Sequence, residues 1–338
     1  MTNSQSISVL LPTRNSMALL PAHLESMQSW LDLAEEVVVV DSLSTDGTLE
    51  LLRKRLTHPR VRLLTHPPGL YESWNFGLAQ MRARYAYIST VGDSITRCGL
   101  EHLCTVARDL RCDLVVSKPS FVDLQGRHLP PPRWPIDDIC ETLRVKETAA
   151  VEGVVLFLFA LVNYTDAILG SSASNLYRTE CLQRRPFRTD FGTVGDGAWG
   201  LQNALDVRLG LTKQVCSVFR HHPKSYGLAR YAVPQLAEKL YTLGVVVHRD
   251  RITQNRELRA ETERLRFAQI LALAGKHAVA QRRLEGFRRS RWPWSMNPAA
   301  WLARLERDRA FRHMHVLKRA AVKALRTELL NSSDTCSK

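Results

Sequence analysis

Residues 7–13, Ile-Ser-Val-Leu-Leu-Pro-Thr, and residues 36–42, Glu-Val-Val-Val-Val-Asp-Ser, decide the fold. Each is a short, nearly continuous apolar run, and strands covered on both faces read this way, without the alternation of a half-exposed sheet. Between them Leu19, Leu20, Leu24, Met27 and Leu31 recur at helical spacing, which makes the segment a β-α-β unit. The pattern repeats. Ser44-Thr45-Asp46-Gly47-Thr48 is a turn opening a helix to Leu56, with Asp46 or Thr45 as its cap, and a strand is expected at 61–65, a helix at 71–83 and a strand at 85–90. Strands alternating with helices predict a three-layer α/β/α sandwich around a mostly parallel sheet.

Ligands of such sheets bind outside the carboxyl ends of the strands. The residues to inspect are therefore Pro12-Thr13-Arg14-Asn15, Asp41-Ser42, His66-Pro67 and Gly92-Asp93-Ser94. Further on, a helix is expected at 99–110 and strands at 113–118, 171–178 and 214–220, while the proline-rich stretch from Leu129 to Pro135 excludes regular structure. From Gln235 to Leu330 the pattern is almost wholly helical, broken at Trp292-Pro293-Trp294 and Asn297-Pro298. This divides the chain into an α/β domain, 1–230, and a basic helical region, 231–338.

Composition narrows the class. The 338 residues carry 45% hydrophobic residues, enough for a sizeable buried core. Seven cysteines without a C-x-x-C pair fit neither a closed disulfide framework nor a thiolate metal site, so they read as reduced, structural thiols. The most apolar stretch, Val154 to Val162, is about half the roughly 20 residues a membrane-spanning helix needs and reads as a buried helix. Met1 to Ser6 shows no secretory signal, and the expected compartment is the cytoplasm.

The net charge of +14 is concentrated: residues 251–330 hold 19 Lys+Arg against 7 Asp+Glu, an excess of 12. Arginines alternate there with Trp292, Trp294, Trp301, Phe311 and leucines, the composition of basic amphipathic helices. Two readings stand: a region peripheral to an anionic membrane surface, or a solvated helical cap on the α/β domain. No nucleic-acid partner is expected, because no helix-turn-helix, zinc or aromatic RNA-binding signature accompanies the charge.

Four motifs occur in order: Pro12-Thr13-Arg14-Asn15; Val39-Val40-Asp41-Ser42 with Ser44 to Thr48; Gly69-x-Tyr71-x-x-Trp74-Asn75-x-Gly77; and Thr90-Val91-Gly92-Asp93-Ser94. Together they resemble the family 2 glycosyltransferases of GT-A fold over roughly residues 5–225. The resemblance implies a GT-A type α/β/α sandwich with a C-terminal helical segment, and transfer of a sugar from a nucleotide-diphosphate-sugar donor to a hydroxyl of a saccharide or lipid-linked acceptor. The implied enzyme is an inverting, hexosyltransferase-type, metal-dependent one, placed in cell-surface polysaccharide or glycolipid synthesis.

The same resemblance implies a nucleotide pocket of Pro12, Thr13, Arg14, Asn15, Asp41, Ser42, Tyr71, Asn75, Gly92 and Asp93. Asp93 is similar to the last carboxylate of the family's D-x-D motif, which holds Mg²⁺ or Mn²⁺ against the diphosphate; Val91 occupies the first acidic position. His222, beside His221, stands where some relatives place a metal or diphosphate ligand, and Arg220 and Lys224 are candidate phosphate contacts. Asp196 holds the place of the catalytic base, with Asp190 as competitor and a plain helix cap as the bland alternative. Trp199 is either an apolar platform for a sugar ring or core.

Two other classes are weighed. Val91 favours a non-catalytic nucleotide-sugar-binding module of the same fold. A dinucleotide oxidoreductase is disfavoured, since Pro12-Thr13-Arg14-Asn15 stands where G-x-G-x-x-G would follow the first strand.

Overall fold

The computed structural model describes residues 6–132, 134–162, 169, 172–220, 243, 246, 254, 256–264, 266–288 and 297–335. The first half alternates as expected: β1 (Ile7–Thr13), α1 (Leu20–Met27), β2 (Ala34–Asp41), α2 (Thr48–Arg55), β3 (Val61–Thr65), α3 (Leu70–Ala79) and β4 (Tyr85–Ile88). Then come β5 (Ser94–Ile95), α4 (Arg97–Asp109), β6 (Leu114–Ser117), β7 (Ser120–Val122), β8 (His128–Leu129), α5 (Pro135–Thr142), β9 (Thr148–Val151) and α6 (Gly153–Val162). After these follow β10 (Asn175–Arg178), α7 (Thr179–Arg184), α8 (Gly195–Asn203), β11 (Leu209–Thr212) and β12 (Ser217–Arg220). Among the described residues three helices follow: α9 (Arg256–Arg264), α10 (Phe267–Arg288) and α11 (Pro298–Thr335).

The main sheet has the order β3-β2-β1-β4-β10-β6-β11-β9. β10 runs antiparallel to both its neighbours and β9 antiparallel to β11, and the remaining pairs are parallel. The continuous apolar runs are explained by two separate cores. Leu10, Val38, Val40, Ala86 and Ile88 face one cluster, and Val9, Leu11, Val37, Val39 and Tyr87 face the other. Successive side chains on a strand point to opposite faces, so both sets must be apolar. The chain leaves β1 for β2 and β3 on one side and returns to β4 on the other, placing a topological switch point between the carboxyl ends of β1 and β4.

The proline-rich stretch departs from expectation at both ends. Leu129 pairs with Phe121 in a second small sheet, β5-β12-β7-β8, and Pro135 opens α5, where its missing N–H is one the first turn leaves unpartnered anyway. The run at 154–162 is a buried helix, as read, with Leu156, Phe157 and Phe159 in the core. Cys98, Cys104, Cys112, Cys140, Cys181 and Cys216 are free thiols, and Cys336 lies outside the described residues.

Ile270 of α10 and Met314 and Ala321 of α11 join the same hydrophobic cluster as Phe157, Trp199 and Leu211. Asn297 caps α11 by accepting from the Ala299 N–H at 2.9 Å, which makes the Asn-Pro break a helix start. Among the described residues no helix is long and apolar enough to cross a membrane.

Candidate active site

The loops after β1 and β2 are knitted into one cradle at the switch point. Asn15 sits in the left-handed region at φ 46°, a conformation Asn tolerates, and there its backbone N–H donates to Ser44 Oγ at 2.8 Å while its Oδ1 accepts from the Thr45 N–H at 2.9 Å. Asp41 is fully buried. It accepts from Thr13 Oγ1 at 2.9 Å, from Ser44 Oγ at 2.6 Å and from the Ser44 N–H at 2.8 Å. Asp46 caps α2, accepting from the Thr48 N–H and hydroxyl, and reaches back to the Met17 N–H at 3.0 Å. Ser42 is buried and donates its N–H to the Thr13 carbonyl, and Pro12 is half-buried at the end of β1. Arg14 is exposed, and its guanidinium has no partner among the described residues.

After β4, Gly92 takes φ 102°, a backbone conformation a side chain would strain, and so brings Asp93 back toward the sheet. The Asp93 carboxylate accepts from the Thr90 hydroxyl at 2.8 Å and from the Arg220 backbone N–H at 3.0 Å. Burial pushes its carboxyl up to about 6, against the pull of those two hydrogen bonds, although the residue as a whole stays partly exposed. Arg220, at the end of β12, reads as a phosphate contact from sequence. Its guanidinium is instead turned to backbone carbonyls of Gly92, Asp123 and Leu124, at 3.1–3.3 Å, and ties the Asp93 turn to the small sheet.

His23 of α1, which the sequence did not single out, lies beside the end of β4. It is buried, and its Nε2 lies 3.0 Å from the hydroxyl of Ser89, the residue after β4. Burial lowers its pKa to about 4. At pH 7 the ring is neutral in both folded and unfolded chains; as pH falls through 6.5 the unfolded chain takes up a proton that the folded one refuses. Stability is therefore lost between pH 6.5 and about 4. Between pH 7 and 5 the wild type is expected to lose about 2 kcal/mol more than His23→Gln, as read by urea unfolding at the two pH values. Equal losses would show that His23 does not titrate this way.

A third group is organised by α3. Tyr71 is buried and packs edge-on against Trp74 and tilted against Phe187, ring centroids 5.4 Å away in each case. Asn75 donates from Nδ2 to the Phe187 carbonyl at 2.8 Å and accepts the Phe187 N–H at Oδ1 at 3.0 Å. Of the two residues expected at the nucleotide, Tyr71 has its ring in the core, and the partly exposed Asn75 amide holds the chain that leads to α8. Asn75→Ala leaves the Phe187 N–H and C=O unpartnered and is expected to cost about 2 kcal/mol in urea unfolding, with nucleotide affinity within about twofold of wild type. Lost affinity at unchanged stability would restore the contact reading.

Asp196 lies in the first turn of α8, partly exposed, and accepts the N–H of Gly197 at 2.7 Å. Asp190 is paired with Arg188 through two hydrogen bonds of 2.7 and 2.8 Å, and Arg188 lies over the Phe191 ring. Trp199 is 1% exposed, donates from Nε1 to the Arg185 carbonyl and packs on Phe187. Of its two readings the core one holds, since no face of the indole is open to a sugar ring.

Topology sets Thr13, Asp41 and Asp93 at the carboxyl edge of the sheet. Gly195 approaches the Tyr71 ring in the first turn of α3, which starts from the same edge, so Asp196 is brought there too. His221, His222 and Lys224 lie outside the described residues. Among the described residues no three His, Cys, Asp or Glu side chains form a metal-binding group. A hard cation is often held by one or two protein carboxylates with phosphate and water completing its shell, and Asp93 offers such a carboxylate at this edge among the described residues.

Residues 8–158 match the model of glycosyl transferase family 2. Comparison with curated proteins finds no match in sequence. Among solved structures, S. aureus TarS 1–349 in complex with UDP-GlcNAc is 16% identical, with a TM-score of 0.56 over 93% of this chain and 92% of that one. The mannosyltransferase PcManGT from Pyrobaculum calidifontis, in complex with GDP-Man and Mn²⁺, is 19% identical, with a TM-score of 0.51 over 96% of this chain and 86% of that one. At these identities the likeness establishes the GT-A fold.

Proposed function

Taking residues 8–158 as a glycosyl transferase family 2 segment, we propose that this chain is an inverting glycosyltransferase that moves a sugar from a nucleotide-diphosphate-sugar donor to an acceptor hydroxyl. The observation that carries the reading is the cradle at the β1/β4 switch point, where the loops 13–17 and 41–48 and the Asp93 turn meet the position at which open α/β sheets bind nucleotides. The printed ligands of the similar structures, UDP-GlcNAc and GDP-Man, support a donor of that class.

Each residue has a role in this proposal. Thr13, Asn15 and Ser42 shape the nucleotide pocket, with Asp41 as the positioning residue that locks the two loops, and Arg14 offers a free guanidinium to phosphate. Asp93, with His222, would hold Mg²⁺ or Mn²⁺ against the donor's diphosphate, where the cation supplies positive charge to the leaving group. Asp196 takes the proton of the acceptor hydroxyl as that oxygen bonds to the anomeric carbon. The sugar–phosphate C–O bond breaks, its electron pair leaves with the diphosphate, and one in-line displacement inverts the anomeric centre. The catalytic unit spans residues 1–230, with the helical region 231–338 completing its core. A saccharide or lipid-linked acceptor of cell-surface polysaccharide or glycolipid synthesis suits an enzyme of this kind.

The test is release of free nucleoside diphosphate from a panel of UDP-, GDP- and dTDP-sugars, with Mg²⁺ or Mn²⁺ and with EDTA. Turnover with one donor, abolished by EDTA, is the expected result. A second reading, a binding module without catalysis, is favoured by Val91 in place of the first acid. Nucleotide binding without release across the whole panel would select it.

A further inference from the structure

Helix α11 has two apolar faces, and among the described residues only one of them is buried. Ala303, Ala310, Met314 and Ala321 recur at helical spacing and are buried on the inner face, with Met314 and Ala321 in the main core. Trp301, Leu305 and Val316 fall on the opposite side, about half a turn of the helical wheel away, with Leu302 at its margin. Trp301 is 64% exposed, Leu302 55% and Val316 54%. Large apolar side chains clustered on one exposed face mark an interaction surface more often than scattered ones do.

The charges on this face identify the partner. Arg309, Arg312 and Arg319 stand among those apolar residues, are exposed, and have no ion-pair partner among the described residues. Between 298 and 324 the sequence holds seven Lys or Arg and two acids, Glu306 and Asp308. Both acids are already occupied: Glu306 pairs with Arg283 of α10 at 3.3 Å and Asp308 with Arg307 at 2.7 Å. What is left outward is aromatic and aliphatic surface interleaved with uncompensated guanidinium groups.

We propose that this outer face of α11 docks on an anionic membrane surface, lying in the plane of the interface. Trp301, Leu302, Leu305 and Val316 enter the boundary between headgroups and acyl chains, and Arg309, Arg312 and Arg319 meet lipid phosphates. The inner face stays packed on α10 and the α/β core, so docking needs no unfolding of the helix. Nucleic acid, which offers phosphate but no apolar layer, gives the four apolar side chains nothing to enter. The inference stands apart from the transferase reading, since it uses none of the residues placed at the active site.

Flotation of the full-length protein with vesicles of phosphatidylcholine and phosphatidylglycerol, against phosphatidylcholine alone, tests it at low and at physiological salt. The wild type is expected to float with the anionic vesicles, less so as salt rises, and to stay behind with the neutral ones. Each arginine is worth roughly fivefold in partitioning near an anionic surface, so Arg309→Glu/Arg312→Glu/Arg319→Glu should reduce flotation by about 100-fold or more. Trp301→Ser/Leu305→Ser should reduce it by at least about 10-fold with the charges intact. Both variants alter exposed positions only, and unchanged far-ultraviolet circular dichroism and donor turnover report that the fold is retained. Absence of flotation at low salt overturns the proposal. So does equal flotation with neutral vesicles, or flotation that either variant leaves unchanged. Retention on immobilised duplex DNA without vesicle binding would assign the face to nucleic acid instead.

Discussion

Asp196→Asn is expected to lower turnover by about 10²- to 10⁴-fold while nucleotide affinity stays within about twofold, because it removes the proposed general base and keeps the side chain's shape. The amide keeps the shape of the carboxylate, and its Oδ1 can still accept the Gly197 N–H that Asp196 accepts at 2.7 Å. What it loses is the capacity to hold the acceptor's proton. It also loses a negative charge in the first turn of α8, where the helix dipole favours anions, a change of at most about 1 kcal/mol at a partly exposed position. Urea unfolding therefore separates the two effects, and the rate loss should far exceed any stability loss. Turnover at the wild-type level would remove Asp196 from the chemistry. Asp190 would be examined next, although its doubled hydrogen bonding to Arg188 leaves it poorly placed to accept a further proton.

The second large effect is steric. A Cβ on Gly195 would stand 2.2 Å from the Arg188 carbonyl oxygen and 2.6 Å from the Tyr71 ring, distances real side chains do not adopt. The carbonyl belongs to a segment pinned by the Asn75 clamp one residue earlier, and the ring is locked between Trp74 and Phe187, so neither neighbour yields freely. Gly195→Ala should destabilise the protein by about 3 kcal/mol and, by displacing α8, reduce turnover as well. Tyr71→Leu in the Gly195→Ala background relieves the ring contact but not the carbonyl contact, and is expected to restore stability only in part. A Gly195→Ala protein as stable as the wild type would show that α8 does not approach α3 this closely.

The two positions show how the site is built. Asp196, the proposed base, sits on a helix whose first turn is pressed against α3 by a glycine, and α3 in turn grips the Phe187 backbone through Asn75. Nothing in that chain of contacts requires a ligand. The proposed nucleotide side is similar: Asp41, Ser44, Thr13, Asn15 and Thr45 hydrogen-bond one another across two loops. Preorganisation of this kind spares binding and catalysis the entropy of ordering loops.

The sequence by itself determined the alternating α/β order, the mostly parallel sheet and the edge on which to look. Continuous valine and leucine runs with helical spacing between them admit few other packings, because each strand must bury both faces. Four short motifs at that edge sufficed to suggest the family. Only the tertiary structure decided what individual side chains do there. Tyr71, Asn75 and Trp199 carry polar atoms in motif positions, but whether such atoms face a ligand or a backbone carbonyl depends on contacts more than 100 residues apart in the case of Asn75 and Phe187. His23 gave no local signal, since a lone histidine on a helix acquires meaning only when Ser89, 66 residues away, is laid beside it. Periodicity is local and therefore legible; the partners of a polar group are set by long-range packing, and no spacing along the chain encodes them.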